Sequence, residues 1–381
     1  MSAVESIVSG AARAREPLRI EWRADPAAME SVREEWRRLE HQSAGRTIFS
    51  NSEYALPWYR AYGGIRGRPR LGLAWEGPQL VGVAPLVSWN GTLGRVPVRR
   101  VDFVGHNWDG GEFLVADGRA DVVDAFLGSL RAVEACDVFC VGSLIPDGFL
   151  DGAVRDAARS RRMPMERDDY RYAAADLRDG YAAFVASRGP KYRREVTRHT
   201  KHIQRAGKPV IEFAWDLPDD AAAEAAMARM IAITDHSWKA KAEGPMAGPH
   251  RRFFTEMAVE FRRRGKLALT FLTLDGRDVA YILAVRDGET FYDIAISFDE
   301  ALRPHYPGMY MMMQILEALP ARGVRAVVSH GDHPYKKRWA SGFPTLSRRF
   351  LFAPSVRGRF SRAARFTLPR IWSNVRHRRR G

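Results

Sequence analysis

The first half of the chain opens with two stretches in which apolar residues recur at helical spacing. Residues 27–42 place such residues three or four positions apart, at Met29, Val32, Trp36 and Leu39. A second, shorter helix is predicted around 54–62. Alternating or continuous apolar runs then predict an antiparallel meander of strands, in LGLAWEG, LVGVAPLVSW, RRVDFVG and GEFLVA. A helix over about 121–134 and a buried strand in DVFCVGSL complete this half.

The second half repeats this order of elements. Helices are predicted over about 180–187, 190–206, 221–241 and 249–264. Three strands follow, separated by the hairpin signals Asp275-Gly276 and Asp287-Gly288. A helix over 307–321 and a strand in RAVVSHG complete the half. The two halves share an order of elements without obvious residue identity, so the pattern predicts a pseudo-repeat of one α+β architecture.

The length of the chain also favours two domains. At 381 residues it is too long for one ordinary core, since domains usually span roughly 100–200 residues. The polar, punctuated stretch near 165–176 predicts the boundary. We therefore expect an N-terminal domain over 18–170, a C-terminal domain over 171–353 and a basic tail over 354–381.

The net charge of +15 is concentrated at the C-terminus. Residues 355–381 hold nine arginines and no acidic residue, interleaved with Phe360, Phe366, Leu368, Ile371 and Trp372. Such a segment suits a solvated basic terminus, or else contact with an anionic membrane surface or nucleic acid. Among these partners we expect a peripheral anionic membrane contact.

The two cysteines, Cys136 and Cys140, lie in an apolar stretch without the further Cys or His ligands that a zinc site needs. They predict core thiols in a reducing compartment, and no metal is expected. The N-terminus lacks a signal-peptide pattern, and no run approaches the roughly 20 apolar residues of a membrane span. We expect a cytoplasmic protein that is peripheral to the membrane if the tail binds it.

Residues 293–343 carry the most informative motifs. A strand leads to Tyr-x₆-Asp, a Pro-Gly turn opens the next helix, and the last strand ends in Gly-Asp-x-x-Tyr-Lys-x-x-Trp. The matching residues are Tyr292 and Asp299, Pro307 and Gly308, and Gly331, Asp332, Tyr335, Lys336 and Trp339. This pattern resembles the BioF2-like (CelD-type) acetyltransferases of the GNAT superfamily, which are related in architecture to the Fem aminoacyltransferases. With the basic helix PKYRREVTRHTKHIQRAG and HSWK, the resemblance covers roughly 176–345.

The resemblance implies a fold class and an activity. The fold would be α+β, with two tandem GNAT-like domains, each a mixed, mostly antiparallel sheet flanked by helices. The activity would be transfer of an acyl group, acetyl in the first instance, from acyl-CoA. The first half has no counterpart of Pro307-Gly308 or of the last motif, so we expect a single active site in the C-terminal half.

The helix that begins near Pro307 is the expected donor site. Its first turn presents unpaired backbone N–H groups, and Gly308 lets a pyrophosphate approach the main chain. The expected binding residues are Arg303, Pro307, Gly308, Met309 and Tyr310. The richer glycine pattern of the wider family is incomplete here, and an ordinary proline at the first helical position is the alternative.

Acyl transfer needs a base for the acceptor, a donor for the oxyanion and an acid for the thiolate. Asp332 or His333 is the expected base, Tyr335 the acid or donor, and Lys336 a fixed positive charge. The alternative is that Asp332 only caps a turn and Lys336 is a surface residue. Further base candidates are Asp293 and His236, and the expected substrate-binding residues are Trp238, Tyr292 and His333.

The helix over 190–206 has two faces. One carries Tyr192, Val196, His199 and Ile203, and the other carries Arg194, Arg198, Lys201 and Arg205. The row of four cations suits phosphates of a nucleotide-linked acceptor, a transfer RNA or an acidic glycan, or is simply a solvated face.

Three functions stay open at this point. The first is an acyl-CoA-dependent transferase acting on an amine or hydroxyl of a sugar, polysaccharide precursor or amino compound. The second keeps the fold but takes aminoacyl-tRNA as donor, as Fem proteins do, although the helical arm of those proteins has no counterpart in this sequence. The third is a non-catalytic basic protein that docks at membranes or nucleic acid through 355–381.

Overall fold

In the computed structural model, which describes residues 16–43, 46–105, 111–243 and 246–368, the N-terminal half follows the predicted order. Its helices are α1 (Pro26–Glu30), α2 (Arg33–Glu40), α3 (Ser52–Tyr62), α4 (Ala120–Val133) and α5 (Phe149–Ser160). Its strands are β1 (Leu18–Arg23), β2 (Arg68–Glu76), β3 (Gln79–Leu93), β4 (Val96–Phe103), β5 (Leu114–Val115), β6 (Val138–Leu144) and β7 (Met165–Asp176).

The C-terminal half supplies the remaining elements. Its helices are α6 (Gly180–Gln204), α7 (Asp220–Asp235), α8 (Trp238–Glu243), α9 (Gly248–Arg263), α10 (Pro307–Ala318) and α11 (Val356–Arg362). Its strands are β8 (Pro209–Ala214), β9 (Leu267–Leu274), β10 (Arg277–Asp287), β11 (Thr290–Phe298), β12 (Ala326–His330) and β13 (Thr345–Phe352). A left-handed Gly189 (φ 72°) kinks α6 at the gap predicted between two helices.

The described strands form one sheet in which the same local topology occurs twice. In the N-terminal half, β2, β3 and β4 are antiparallel neighbours and β6 pairs parallel with β4. In the C-terminal half, β9, β10 and β11 are antiparallel and β12 pairs parallel with β11. The predicted fold class is confirmed: a mixed, mostly antiparallel sheet is flanked by helices, in two halves of like topology.

The last strand of each half pairs with the other half. Strand β7 lies between β12 and β13, whereas β13 lies between β7 and β6. The polar segment 165–176, near which the boundary is predicted, is therefore a paired strand. Its polar residues alternate along a paired strand, and Asp169, for example, accepts a 2.7 Å hydrogen bond from Ser347 on β13. The limits 18–170 and 171–353 stay a prediction, and residue 170 lies inside this strand.

The largest hydrophobic core also joins the halves. It contains Trp36, Tyr54 and Trp58 from the N-terminal half together with Phe253 and Phe261 from α9. Ion pairs border this core, and they link Arg33 to Glu260 at 2.7 Å and Arg264 to Glu53 at 2.9 Å. Burial of apolar surface across the junction stabilises one relative arrangement of the two halves.

The described part of the basic tail is folded. Helix α11 continues as a π-turn over Ala363–Thr367, and Phe366 packs in the core at 5.3 Å from Phe350, ring centre to ring centre. Arg362 forms an ion pair with Glu166 at 2.8 Å. The described part of the tail is therefore folded and still partly exposed to solvent, whereas Ile371, Trp372 and the last five arginines lie outside the described residues. No described helix has the length and apolarity needed to cross a bilayer.

Candidate active site

The strands β11 and β12 form a fork. They pair from Thr290 with Ala326 to Asp293 with Ser329, and β12 ends one residue later. Strand β11 continues to Phe298, paired only with β10, and a bulge at Ile294 changes its register immediately beyond the fork. The backbone of 294–298 therefore faces the opening without a described strand partner, as an edge to which an extended ligand can add.

A small cavity of about 60 Å³ lies at this fork. Both halves of the chain line it, with Thr47, Phe49, Ser143, Tyr170, Tyr172, Tyr292, Asp293, Val328, His330 and Leu346. The predicted substrate-binding residue Tyr292 is among them. Phenol, hydroxyl, imidazole and carboxyl groups thus converge on one small site, among apolar side chains such as Phe49 and Leu346.

Asp293 is the buried acid of this cavity, with 6% of its surface exposed. Ser329 donates a 2.6 Å hydrogen bond to Oδ2, whereas Oδ1 has no hydrogen-bond partner among the described residues. Burial raises the pKa of Asp293, and the positive charge of Lys336 opposes that rise. One oriented oxygen is therefore left to accept a proton from a ligand.

Lys336 lies beneath the same site and is only 4% exposed, so its interpretation as a surface residue is wrong. Its ammonium donates a hydrogen bond to the backbone oxygen of His330. Burial lowers the pKa of Lys336, while Asp293 acts in the opposite direction. The lysine is positioned to favour the ionised form of Asp293.

The other residues of the last motif lie nearer the surface. The Asp332 side chain is 54% exposed, its nearest cation is Arg171 at 3.9 Å, and it does not line the cavity. His333 is exposed and stacks on Tyr335 with ring centres 6.2 Å apart. Burial, and secondly the charge of Asp293, raise the pKa of Tyr335. The structure brings Lys336 and Tyr335 towards Asp293, and its geometry favours Asp293 over Asp332 as base.

His236 and Trp238 do not line the cavity. His236 is exposed at the C-terminal cap of α7, and Trp238 is exposed at the start of α8. Their neighbour Lys239 donates a 2.8 Å hydrogen bond to the backbone oxygen of Ile296. This segment therefore borders the C-terminal part of β11 at Ile296, three residues beyond Asp293.

Two titratable residues at this site, Glu112 and His330, were not predicted from the sequence. Glu112 is buried, and desolvation raises its pKa to about 8. Its charge also raises the pKa values of Tyr170 and Tyr292, which places it beside the cavity. His330 lines the cavity, and burial together with Lys336 lowers its pKa to about 3. Glu112 lies in an irregular segment without a motif, so only the fold indicates its position.

The expected donor site lies at the start of α10. Tyr306 precedes it in a left-handed conformation (φ 56°, ψ 45°), and Pro307 is its first residue. Gly308 follows, and its N–H has no acceptor within the helix. A Cβ atom there would lie 3.5 Å from the side chains of Ile296 and Phe298, so the start of the helix adjoins the free edge of β11.

The remaining donor candidates differ in their exposure. Met309 and Tyr310 are buried in the core, and their backbone N–H groups both donate to the backbone oxygen of Tyr306. Arg303 is exposed and forms a 2.6 Å ion pair with Glu300. A surface groove on α6 is lined by further cations, namely Arg193, Arg194, Arg198, Lys201, His202 and Arg205. Tyr306 packs against His202 at 5.5 Å, so this groove adjoins the start of α10.

Comparison with known proteins finds a family model that matches this region. Residues 190–337 match the family described as an acetyltransferase (GNAT) domain. Over these residues, the C-terminal half is similar to a GNAT acetyltransferase domain. The match includes the fork, α10 and Lys336. No significant match to a curated protein was found.

Solved structures of similar fold cover most of the chain. FemX is 10% identical with a TM-score of 0.55, over 83% of this chain and 95% of that one. L-PGS from Bacillus licheniformis is 10% identical with a TM-score of 0.56, over 90% and 96%. At such identities the likeness concerns the fold of both halves. Among the described residues, no cluster of His, Cys, Asp and Glu suits a metal ion.

Proposed function

We propose that the protein transfers an acyl group, acetyl in the first instance, from acyl-CoA to an amine or hydroxyl of a sugar, polysaccharide precursor or amino compound. The observation that carries the proposal is the fork, where a free strand edge leads from the buried acid Asp293 to the start of α10. The BioF2-like (CelD-type) subfamily and a cytoplasmic site of action, at the membrane surface, belong to the same proposal.

The donor would bind along the free edge of β11. The amide groups of its pantetheine arm suit the backbone of 294–298, which has no described strand partner on this edge and whose Ile296 oxygen already accepts from Lys239. Its pyrophosphate suits the exposed N–H of Gly308, where the helix dipole favours negative charge. The cations of the α6 groove lie next to this point and suit a further phosphate. Acyl-CoA supplies the activated thioester carbonyl.

The residues at the fork would manage the protons of the reaction. Oδ1 of Asp293 takes a proton from the acceptor amine or hydroxyl as this group attacks the thioester carbonyl. A carbon–nitrogen or carbon–oxygen bond forms and the carbon–sulfur bond breaks. Tyr335, whose raised pKa keeps it protonated, gives a proton to the leaving thiolate. Lys336 stabilises Asp293 in the ionised form that the first step requires.

Titration with acetyl-CoA in a calorimeter tests the donor. The variant Gly308→Val should bind at least about tenfold more weakly, because a β-branched side chain covers the N–H that faces the phosphate. Gly308→Ala is the matched control: its Cβ makes only ordinary contacts, so its affinity should fall less. This donor site would be rejected if a folded Gly308→Val variant binds acetyl-CoA as tightly as the wild type does. It would also be rejected if the wild type does not bind acetyl-CoA.

A second candidate donor is aminoacyl-tRNA, and the specific observation in its favour is the open row of cations on α6. Phosphate contacts by arginine and lysine give binding that weakens steeply with salt. This donor would be favoured if the protein binds aminoacyl-tRNA and does not bind acetyl-CoA. Replacing Arg194 and Arg198 by glutamine should then abolish the tRNA binding. Absence of both ligands would favour the non-catalytic basic protein.

A further inference from the structure

A cavity of about 1010 Å³ lies in the N-terminal half, and residues of β13 and of the segment after it complete its lining. It opens at a second fork, where β4 and β6 pair in parallel as far as Asp102 with Cys140. This position corresponds in topology to the pair Asp293 and Ser329. We call it the N-terminal cleft. Its lining includes Trp58, Trp89, Phe103, Cys140 and Phe350, together with five arginines and two aspartates.

The N-terminal cleft has an excess of positive charge. Two of its arginines are paired, Arg100 with Asp102 at 2.6 Å and Arg365 with Asp168 at 3.6 Å. The other three, Arg66, Arg68 and Arg348, form no ion pair with any residue that the structure describes. Unpaired guanidinium groups around one concavity repel one another and favour a bound anion.

Two of these unpaired arginines are held in place by aromatic rings. The guanidinium of Arg66 lies 4.6 Å from the centre of the Tyr62 ring, and that of Arg348 lies 4.5 Å from the centre of the Tyr170 ring. Stacking on a ring face leaves the N–H edges of the guanidinium free to donate. These edges suit the paired oxygens of phosphate groups.

An aromatic wall accompanies the cations. The indole of Trp89 donates a 2.5 Å hydrogen bond to Asp102, and Arg100 lies 5.0 Å from the centre of its ring. Trp89 is therefore fixed in position, although part of its surface is exposed. Ile65, 68% exposed, adds an apolar side chain at the rim. The lining thus suits a ligand with an anionic and an apolar or ring-shaped part.

The N-terminal cleft and the cavity at Asp293 are neighbours along strands β7 and β13. On β7, Asp168 lines the cleft, while Tyr170 and Tyr172 line the cavity and point from the same face of the strand. On β13, Arg348 likewise lines the cleft, and Leu346 lines the cavity. The step from Asp168 to Tyr172 spans about 13 Å at roughly 3.3 Å per residue. The cleft and the cavity therefore lie along the same face of the same two strands.

We propose that the N-terminal cleft binds a phosphate or diphosphate ester that forms one end of the acceptor, and that the acceptor extends along β7 and β13 to Asp293. The acceptor would then be a molecule whose reacting amine or hydroxyl lies on the order of 10–15 Å from its phosphate. The transfer step rests on the proposed function. Anion binding in the cleft does not, because it needs no donor.

Calorimetry with inorganic pyrophosphate, at low ionic strength and without acetyl-CoA, tests the site. The double variant Arg66→Gln/Arg348→Gln should weaken binding by about tenfold or more, because it removes two charge-assisted contacts. The single variant Arg68→Gln, at an exposed position, should also weaken binding and keeps the test valid if the double variant does not fold. Arg131→Gln, an exposed arginine outside the cleft, should bind as the wild type does.

The α6 groove is the competing anion site, so Arg194→Gln/Arg198→Gln is measured in parallel. Three outcomes would each overturn the proposal. The folded Arg66→Gln/Arg348→Gln variant could keep the wild-type affinity for pyrophosphate, only the α6 variant could lose affinity, or the wild type could bind no pyrophosphate. Retained pyrophosphate binding with absent acetyl-CoA binding would instead overturn the proposed donor and leave the cleft proposal standing.

Vesicles containing phosphatidic acid then distinguish a lipid-borne phosphate from a soluble ester. A lipid-linked acceptor is supported if the protein sediments with these vesicles and if pyrophosphate abolishes this sedimentation. The variant Arg66→Gln/Arg348→Gln should then fail to sediment as well. Pyrophosphate binding without such sedimentation supports a soluble phosphate ester in the same cleft.

Discussion

At the scale of single residues, two buried carboxyl groups reach one cavity from opposite halves of the chain. Asp293 comes from the fork and Glu112 from the N-terminal half, and burial raises both pKa values. The motif in the sequence pointed first to Asp332, because this residue directly follows the last strand of the family pattern. Its side chain nevertheless faces solvent. Sequence spacing located the end of the strand but not the face on which each carboxylate lies.

Replacing Asp293 by asparagine should lower turnover by roughly 10²–10⁴-fold, the usual contribution of a general base. The base acts when ionised, so wild-type turnover should rise with pH through the raised pKa of Asp293, and this limb should be lost in the variant. Turnover from pH 5 to 9, with acetyl-CoA affinity as a binding control, measures both effects. Asp332→Asn is the matched comparison. A large loss in that variant alone would return the role to Asp332.

At the scale of elements, helices and apolar strands could be predicted, but the polar strand β7 could not. Strand β7 has buried residues such as Ala173 and Ala175 on one face and cavity residues such as Tyr170 and Tyr172 on the other. Its mixture of charge and tyrosine therefore looks like a boundary segment. The cause is physical: a strand that lines a polar site gives up the apolar alternation by which strands are detected.

Helix α11 presents an apolar stripe to solvent. Val356 and Phe360 are four positions apart and are 85% and 63% exposed, with Arg357 and Arg359 beside them. We propose that this face binds anionic membranes, since apolar residues between arginines suit the lipid interface.

The double variant Val356→Ser/Phe360→Ser should sediment several-fold less with anionic vesicles while its unfolding temperature stays unchanged, because both side chains are exposed. Val210→Ser, an exposed apolar residue on β8, is the matched control. Equal sedimentation of the two variants, or no sedimentation of the wild type at low salt, would contradict a role for this helix at membranes.

At the scale of the whole molecule, the repeat of elements predicted two halves of one α+β architecture, but it did not predict that they exchange their last strands. Pairing of β13 with β6 joins residues about two hundred positions apart, and no local pattern encodes such a contact. The same exchange creates the face that runs from the N-terminal cleft to Asp293. That combined site could not be predicted from either half alone.

A chain that ends at residue 344 should therefore fail to fold. Without β13, Phe139 and Val141 on β6 lose their pairing with that strand, which leaves one edge of β6 open, and exposed strand edges promote aggregation. Circular dichroism and size-exclusion chromatography of the truncated protein measure this loss. Removal of only 369–381 is the control and should leave the unfolding transition in place. A soluble, cooperatively unfolding chain of 1–344 would show that β13 is dispensable.

The position of β13 also has a consequence for biosynthesis. A ribosome releases β6 and β7 long before β13, so the N-terminal half emerges with the gap between these strands still open. Only the final segment of the polypeptide closes it, and until then the nascent chain exposes two strand edges to chaperones or to other chains. Any fault that stops translation early should thus yield an aggregation-prone fragment instead of a smaller working enzyme.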